Sequence, residues 1–251
     1  MPHVVTCFLR HRTHVLLGRR NDAVGTYTGR WAGISGYVEG GPVDAERDAR
    51  REVREETGID DATLVRAGDP VEVRDGDRTW TVHPFLFEVA SRDVDPNEEI
   101  AVHEWVSPPA IRDRETVPGL WDAYVAVAPT VETVANDETH GSAWISVRAL
   151  EVLRDRAAVA DSADAVVAVA RGLRDARPSM AAVANRVNRV LSEADRTPEA
   201  IRERAQEAAE AALDADDAAA TLAAERCGES VVTLSRSGTA LAALRAAEPS
   251  V

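Results

Sequence analysis

Glu52, Glu55 and Glu56 stand at i, i+3 and i+4 in the run Arg51-Glu52-Val53-Arg54-Glu55-Glu56-Thr57-Gly58-Ile59. On a helix these positions share one face, a single turn apart. Three carboxylates crowded there repel one another unless positive charge sits among them. Mg²⁺ or Mn²⁺ can supply it, because hard cations take oxygen ligands and keep several waters. A solvated helix face laced by i,i+4 ion pairs would use the same residue types. The segment Gly33-Ile34-Ser35-Gly36-Tyr37-Val38-Glu39-Gly40-Gly41 favours the cation, since a solvated helix needs no glycine loop before it.

The elements that must position these acids are legible. Pro42 and Asp44 mark a helix start and Gly58 a left-handed stop. Val53 and Ile59 point to other faces and suit burial. Upstream, His3–Arg10 and Arg12–Arg20 read as a hairpin, Asn21–Gly29 as turns, and Arg30–Tyr37 as a strand entering the glycine loop. Downstream, Ala62–Arg74 and Thr79–Val89 read as strands joined at Asp75-Gly76-Asp77. Glu104–Val106 is a further strand, and Pro108–Asp113 and Trp121–Val127 are helical.

The run from Arg51 to Ile59 resembles the Nudix box, and Trp31–Glu39 resembles the strand and loop that enter it. The pattern is Gly, five residues, Glu, seven residues, then Arg-Glu-hydrophobic-x-Glu-Glu-x-Gly-hydrophobic. Its second half is complete here. Its first half departs: the expected Glu falls on Pro42 counted from Gly36, or on Val43 counted from Arg51. Asp44 or Glu46 is expected to stand in. The resemblance implies an α/β/α sandwich that hydrolyses a nucleoside diphosphate linked to another group. It implies Mg²⁺ or Mn²⁺ at Glu52, Glu55 and Glu56 with Gly36 beside them, and Arg51 orienting the acids. A late-loop Glu is also implied, with Glu99 and Glu98 ranked above Glu104. Arg19 and Arg20, at a strand end near the cleft, are candidate phosphate ligands.

Composition bounds the rest. The chain has 251 residues, a net charge of −14 and a pI near 4.9; its 29 basic residues other than histidine are all arginine. Such acidity argues against nonspecific nucleic-acid binding and fits solubility in high salt, as in a halophile. Cys7 and Cys227 make no disulfide framework. No secretory leader or membrane-spanning run is present, so a cytoplasmic location is expected.

The pattern changes near residue 130. Pro129–Asn136 reads as a linker between a domain at 1–130 and a second at 131–251. Alanine-rich helices follow at Ser142–Ala157, Asp161–Asp175, Pro178–Glu193 and Thr197–Arg226. Ser230–Leu234 reads as a strand and Ser235-Arg236-Ser237-Gly238-Thr239 as an anion-binding loop opening a last helix. Thr139-His140-Gly141, Arg177-Pro178-Ser179-Met180 and this loop resemble the translation initiation factor 2B alpha/beta/delta family, which includes ribose-1,5-bisphosphate isomerases. The resemblance implies a helical domain ending in the first strand-loop-helix of an incomplete Rossmann-like unit. The later catalytic Cys and Asp have no counterpart, so isomerase activity is not expected. The second half is expected to be truncated or completed by another chain, a homo-oligomer being one form of the latter.

Overall fold

The computed structural model describes residues 1–22, 25–228, 230–233 and 237–247. The chain divides into two units, Met1–Ala128 and Pro129–Val251.

In the first unit, side chains alternate across strand β1 (His3–His11) because successive Cβ atoms point to opposite faces of a sheet. Val5, Cys7 and Leu9 share a core with Ala45, Ala49 and Val53 of helix α1 (Ala45–Thr57). Phe8 faces the other way, into a core with Leu120, Ala123, Tyr124 and Val127 of helix α2 (Leu120–Val127). Two apolar faces, each covered by a helix, make the α/β/α sandwich.

The expected hairpin forms: β1 meets β2 (His14–Arg20) across Arg12-Thr13, with His11 opposite His14. Arg12 has φ 59°, the left-handed backbone that so short a turn requires. The eight-stranded mixed sheet continues from β1 to β7 (Arg78–Glu88), which runs parallel to it. The strand β8 (Ile100–Val106) pairs antiparallel with β2.

Two strands differ from expectation. Arg30–Tyr37 is broken into β3 (Trp31–Ala32), paired with β2, and β4 (Ile34–Tyr37), paired with β1. The break is Gly33, where a Cβ would lie 2.9 Å from the Cys7 carbonyl oxygen. Ala62–Arg74 is also two strands, β5 (Thr63–Ala67) and β6 (Val71–Asp75), both antiparallel to β7. Pro70 between them has no N–H for a ladder, and Gly68 donates instead to the Pro84 carbonyl.

The second unit is helical. Its centre is α4 (Ser142–Ala157), surrounded by α5 (Ala163–Ala176), α6 (Ala181–Glu193) and α7 (Pro198–Ala224). Leu150, Leu153, Leu173, Val187 and Ile201 are core residues there. Ser162 and Thr197 cap α5 and α7 through their hydroxyls, and Pro198 occupies the first turn of α7.

The expected linker 129–136 instead holds α3 (Val131–Asn136), started by a reciprocal Thr130–Thr133 capping pair. Arg177 ties α3 down by donating to the carbonyls of Val134 and Asp137. The expected strand also fails over its described part: residues 230–233 are not strand, and Val232 is 91 % exposed. A lone strand has no neighbour to take its N–H and C=O groups. Leu234, Ser235 and Arg236 lie outside the described residues. The last helix, α8 (Gly238–Ala247), forms as expected.

Gly76 and Gly119 both have positive φ, 59° and 72°, but a Cβ on Gly76 meets open space whereas one on Gly119 would lie 2.4 Å from Val73 Cγ2. Gly76→Ala is expected to cost about 1 kcal/mol, from backbone strain alone. Gly119→Ala should cost clearly more in denaturant titration; equal losses would contradict the packing described around α2.

Candidate active site

Helix α1 carries two adjacent stripes. Ala45, Ala49 and Val53 recur at i, i+4 and i+8 and are buried against the sheet. Asp48, Glu52 and Glu56 recur with the same spacing and turn toward β4 and the loop after it. Gly58, at φ 70°, ends the helix and donates to the Arg54 carbonyl, as the sequence predicts.

The fit between α1 and β4 depends on Gly36. A Cβ there would come within 2.0 Å of Glu52 Oε1, so only glycine lets this carboxylate approach the strand. One turn on, Glu56 is 6 % exposed and accepts a hydrogen bond from the Ser35 N–H at 3.1 Å. Burial, reinforced by the Glu52 and Glu99 carboxylates, pushes Glu56 up to about 8, although the Ser35 N–H and Arg20 oppose the shift. Glu52 is also raised: burial contributes most, Arg51 opposes it, and Glu55, Glu99 and Asp48 add repulsion. Glu55, by contrast, is exposed.

Arg51 joins the loop to the helix. Its Nη1 donates to Glu39 Oε1 at 2.7 Å and its Nη2 to Glu52 Oε1 at 2.8 Å. Asp44 and Glu46, the expected stand-ins for the missing box Glu, pair instead with Arg47 and Arg50. Glu39 takes Arg51, because it lies where the chain leaves β4, beside the helix. Asp48 then holds Glu39 by accepting its N–H at 2.7 Å. Burial pushes Asp48 up, but that N–H and Arg47 outweigh it and leave the carboxyl below its usual range. Sequence reading missed Glu39 and Asp48. The available signal was that Asp48 stands four residues before Glu52, on the same face.

Of the late acids, Glu99 reaches the site. The Asp95 N–H donates to the Thr57 carbonyl and the Asn97 N–H to that of Glu56, which ties this loop to the end of α1. Glu98 is exposed, and Glu104 is ion-paired with Arg114 at 2.6 Å. Glu99, Glu52, Glu39, Arg51, Gly36 and Arg20 all line one cleft of about 510 Å³. Arg20 donates to Ser35 Oγ at 3.2 Å and to the Thr26 carbonyl at 3.0 Å. Arg19 is exposed and does not line this cleft.

In the second unit, Ser237 Oγ accepts from the Ala240 N–H, and Thr239 Oγ1 donates to Asp216 at 2.9 Å. These hydroxyls therefore cap and anchor α8. Gly238, also expected to bind phosphate, is the first residue of α8, and Ser235 and Arg236 are outside the described residues.

Residues 1–127 match the family model of the NUDIX domain. The chain belongs to the Nudix family. Its second half, residues 138–251, matches the initiation factor 2 subunit family. Both families agree with the resemblances carried by the motifs. Among solved structures, the Nudix half is similar to a MutT protein from Methanosarcina mazei, with 26 % identity over 49 % of this chain and 90 % of that one, TM-score 0.42. It is also similar to an Ap4A hydrolase from C. elegans, with 15 % identity over 51 % and 95 %, TM-score 0.43. A third is the E. coli dihydroneopterin triphosphate pyrophosphohydrolase, with 23 % identity over 48 % and 90 %, TM-score 0.39. No curated protein matches the chain.

Membership makes the chain a Nudix-type hydrolase, a family that generally uses divalent metals. Among the described residues, no three His, Cys, Asp or Glu side chains are gathered into a ready-made cation cage. Glu52 Oε1 is engaged by Arg51, Glu56 by the Ser35 N–H, and Glu55 points to solvent. The donor chemistry nevertheless fits a hard cation: the groups are oxygen ligands, and Glu52 and Glu56 are raised by burial and by neighbouring carboxylates.

The raised Glu56 sets a pH dependence. Folded protein binds its proton more tightly than unfolded chain, so metal-free stability is greatest below the unfolded value, about 4.5, and falls as pH rises to about 8. Glu56→Gln removes that loss while keeping an acceptor for Ser35. In EDTA, the stability of Glu56→Gln relative to wild type should grow between about pH 5 and 8, by a few kcal/mol at most. A constant difference across that range would show that Glu56 titrates normally.

Proposed function

We propose that the Nudix unit cleaves the pyrophosphate bond of a nucleoside diphosphate linked to another group. Mg²⁺ or Mn²⁺ would be held by Glu52, Glu55 and Glu56, with Gly36 beside them. When bound, the cation polarises phosphoryl oxygens and acidifies water. The observation that carries this reading is the crowding of carboxylates at the cleft: Glu52 and Glu99 line it, and the buried Glu56 beside them is driven to about 8. Arg51 and Arg20 offset this negative charge only in part, since Glu56 is still raised, and a divalent ion would supply the rest.

The chain's own residues then divide the work. Arg51 holds Glu52 and fixes the loop through Glu39. Arg20 has a guanidinium at the cleft wall and can meet phosphate oxygens. Glu99 can accept the proton of the attacking water. A phosphate-binding role for Ser235–Thr239, and self-association through the second unit, are proposed separately from this activity. No described helix is long and apolar enough to cross a membrane, and a cytoplasmic setting is part of the same proposal.

A second reading is a nucleotide or sugar-phosphate sensor with little turnover. The absent acid at Pro42 and Val43 and the lack of a ready-made cage among the described residues favour it. An assay with Mg²⁺ over nucleoside diphosphate sugars, dinucleotides and nucleoside triphosphates, reading the nucleotide products by chromatography, separates the two. Tight binding without turnover across that panel would select the sensor.

For the hydrolase, Glu55→Gln and Glu56→Gln should each lower metal-dependent turnover, and EDTA should abolish it. Glu99→Gln is expected to lower kcat by about 10²-fold or more if it is the base. Unchanged turnover in both helix variants would remove the assigned roles. At pH 7, Mg²⁺ binding should also release protons, read by calorimetry in buffers of different ionisation enthalpy, and Glu56→Gln should reduce that release.

A further inference from the structure

Asp48 puts a charge where helix α1 needs none. It is 1 % exposed and stands between Ala45 and Ala49, which pack against the sheet. Alanine is the better helix former, and a buried carboxylate is tolerated only when it is hydrogen-bonded. The bonds that Asp48 makes lead to one residue of the preceding loop. Asp48 Oδ2 accepts the Glu39 N–H at 2.7 Å, and its Oδ1 accepts from Arg47 Nε at 3.2 Å and Arg47 Nη2 at 3.1 Å. The same Nη2 donates to the Glu39 carbonyl at 3.1 Å. Arg47 and Asp48 thus grip Glu39 by both of its backbone groups.

The grip matters because of what the Glu39 side chain holds. Arg51 donates from Nη1 to Glu39 Oε1 and from Nη2 to Glu52 Oε1. A displaced Glu39 would therefore release Arg51, and with it one oxygen of Glu52. The positions where the box calls for an acid do not hold this loop: Pro42 and Val43 are exposed, Val43 by 94 %. An acid in the first turn of a helix is also favoured by the helix dipole. Glu46 shares that turn but pairs with Arg50, so it separates the dipole from the grip.

We propose that Asp48, clamped with Arg47 on the Glu39 backbone, is a positioning residue: it fixes the contacts from Glu39 through Arg51 to Glu52 and so holds Glu52 where a divalent cation can use it. The inference rests on reading Glu52 as a metal ligand. Asp48 itself touches neither cation nor substrate. It acts on the groups that orient a ligand, and outer contacts of that kind are worth about ten- to a hundredfold in metal affinity.

The test uses the full chain, with amide hydrogen exchange followed by NMR in EDTA and Mn²⁺ binding by electron paramagnetic resonance. Asp48→Ala should speed exchange at the Glu39 amide about tenfold or more and weaken Mn²⁺ binding about tenfold or more. The acids themselves are intact, so excess Mn²⁺ should restore its turnover, which a lost fold would not allow. Asp48→Asn keeps one oxygen acceptor and should fall between wild type and Asp48→Ala. Arg47 is exposed, so Arg47→Met spares the core; it should weaken Mn²⁺ binding about threefold or more. Glu46→Ala should leave both readings unchanged. Faster Glu39 exchange with unaltered Mn²⁺ affinity would overturn the positioning role, and so would equal losses in Asp48→Ala and Glu46→Ala. A wild type that neither binds Mn²⁺ nor turns over would remove the hydrolase and this inference with it. A wild type that does both, beside an unaffected Asp48→Ala, would remove this inference alone.

Discussion

The first unit depends on how closely α1 approaches β4. Gly36 has no side chain, and the Glu52 carboxylate occupies the space that a Cβ would need. From this contact the rest of the site follows. Glu56, one turn later, falls beside the Ser35 N–H, and Arg51, one residue earlier, falls beside Glu39. The loop that ends at Glu99 is then bonded to the last turn of the helix. A larger residue at position 36 would push α1 outward and disperse all of these groups together.

That approach places like charges in one stripe, and the local donors decide what each does. Asp48 and Glu56 are both buried, yet they are driven in opposite directions. Asp48 has an N–H and the Arg47 guanidinium, so it stays ionised and holds the loop. Glu56 has one N–H and two carboxylate neighbours, so it favours its proton. One helix face thus supplies both a structural anion and a carboxyl that holds its proton toward neutral pH.

The second unit solves a different problem. Twelve of the 16 residues of α4 are buried, so charged side chains are carried inside with the leucines and valines. They are tolerated because they meet partners. Arg148 faces Glu151 at 3.0 Å, and Arg154 reaches Asp155 at 2.7 Å and Gln206 at 2.8 Å. Arg148 also lies over Trp144, which stacks on His140. An alanine-rich stretch that reads as a plain bundle thus carries buried charged pairs on its central helix, within an apolar core.

The sequence by itself determined the periodic and local features. The stripe on α1, the Gly58 stop, the hairpin at Arg12-Thr13 and the helices capped by Ser162 and Thr197 all follow from spacing and neighbouring residues, which the chain states directly. Only the tertiary structure decided which groups meet across long separations. Glu39 rather than Asp44 or Glu46 takes Arg51, Glu99 rather than Glu98 or Glu104 reaches the acids, and Tyr27 is tied to Asp75. The run 230–233 satisfied every local criterion for a strand and is not one. The physical reason is the same throughout: a helix or turn closes its hydrogen bonds within a few residues, whereas a strand pairing, a burial or a carboxylate's choice of partner is settled by what distant segments bring beside it.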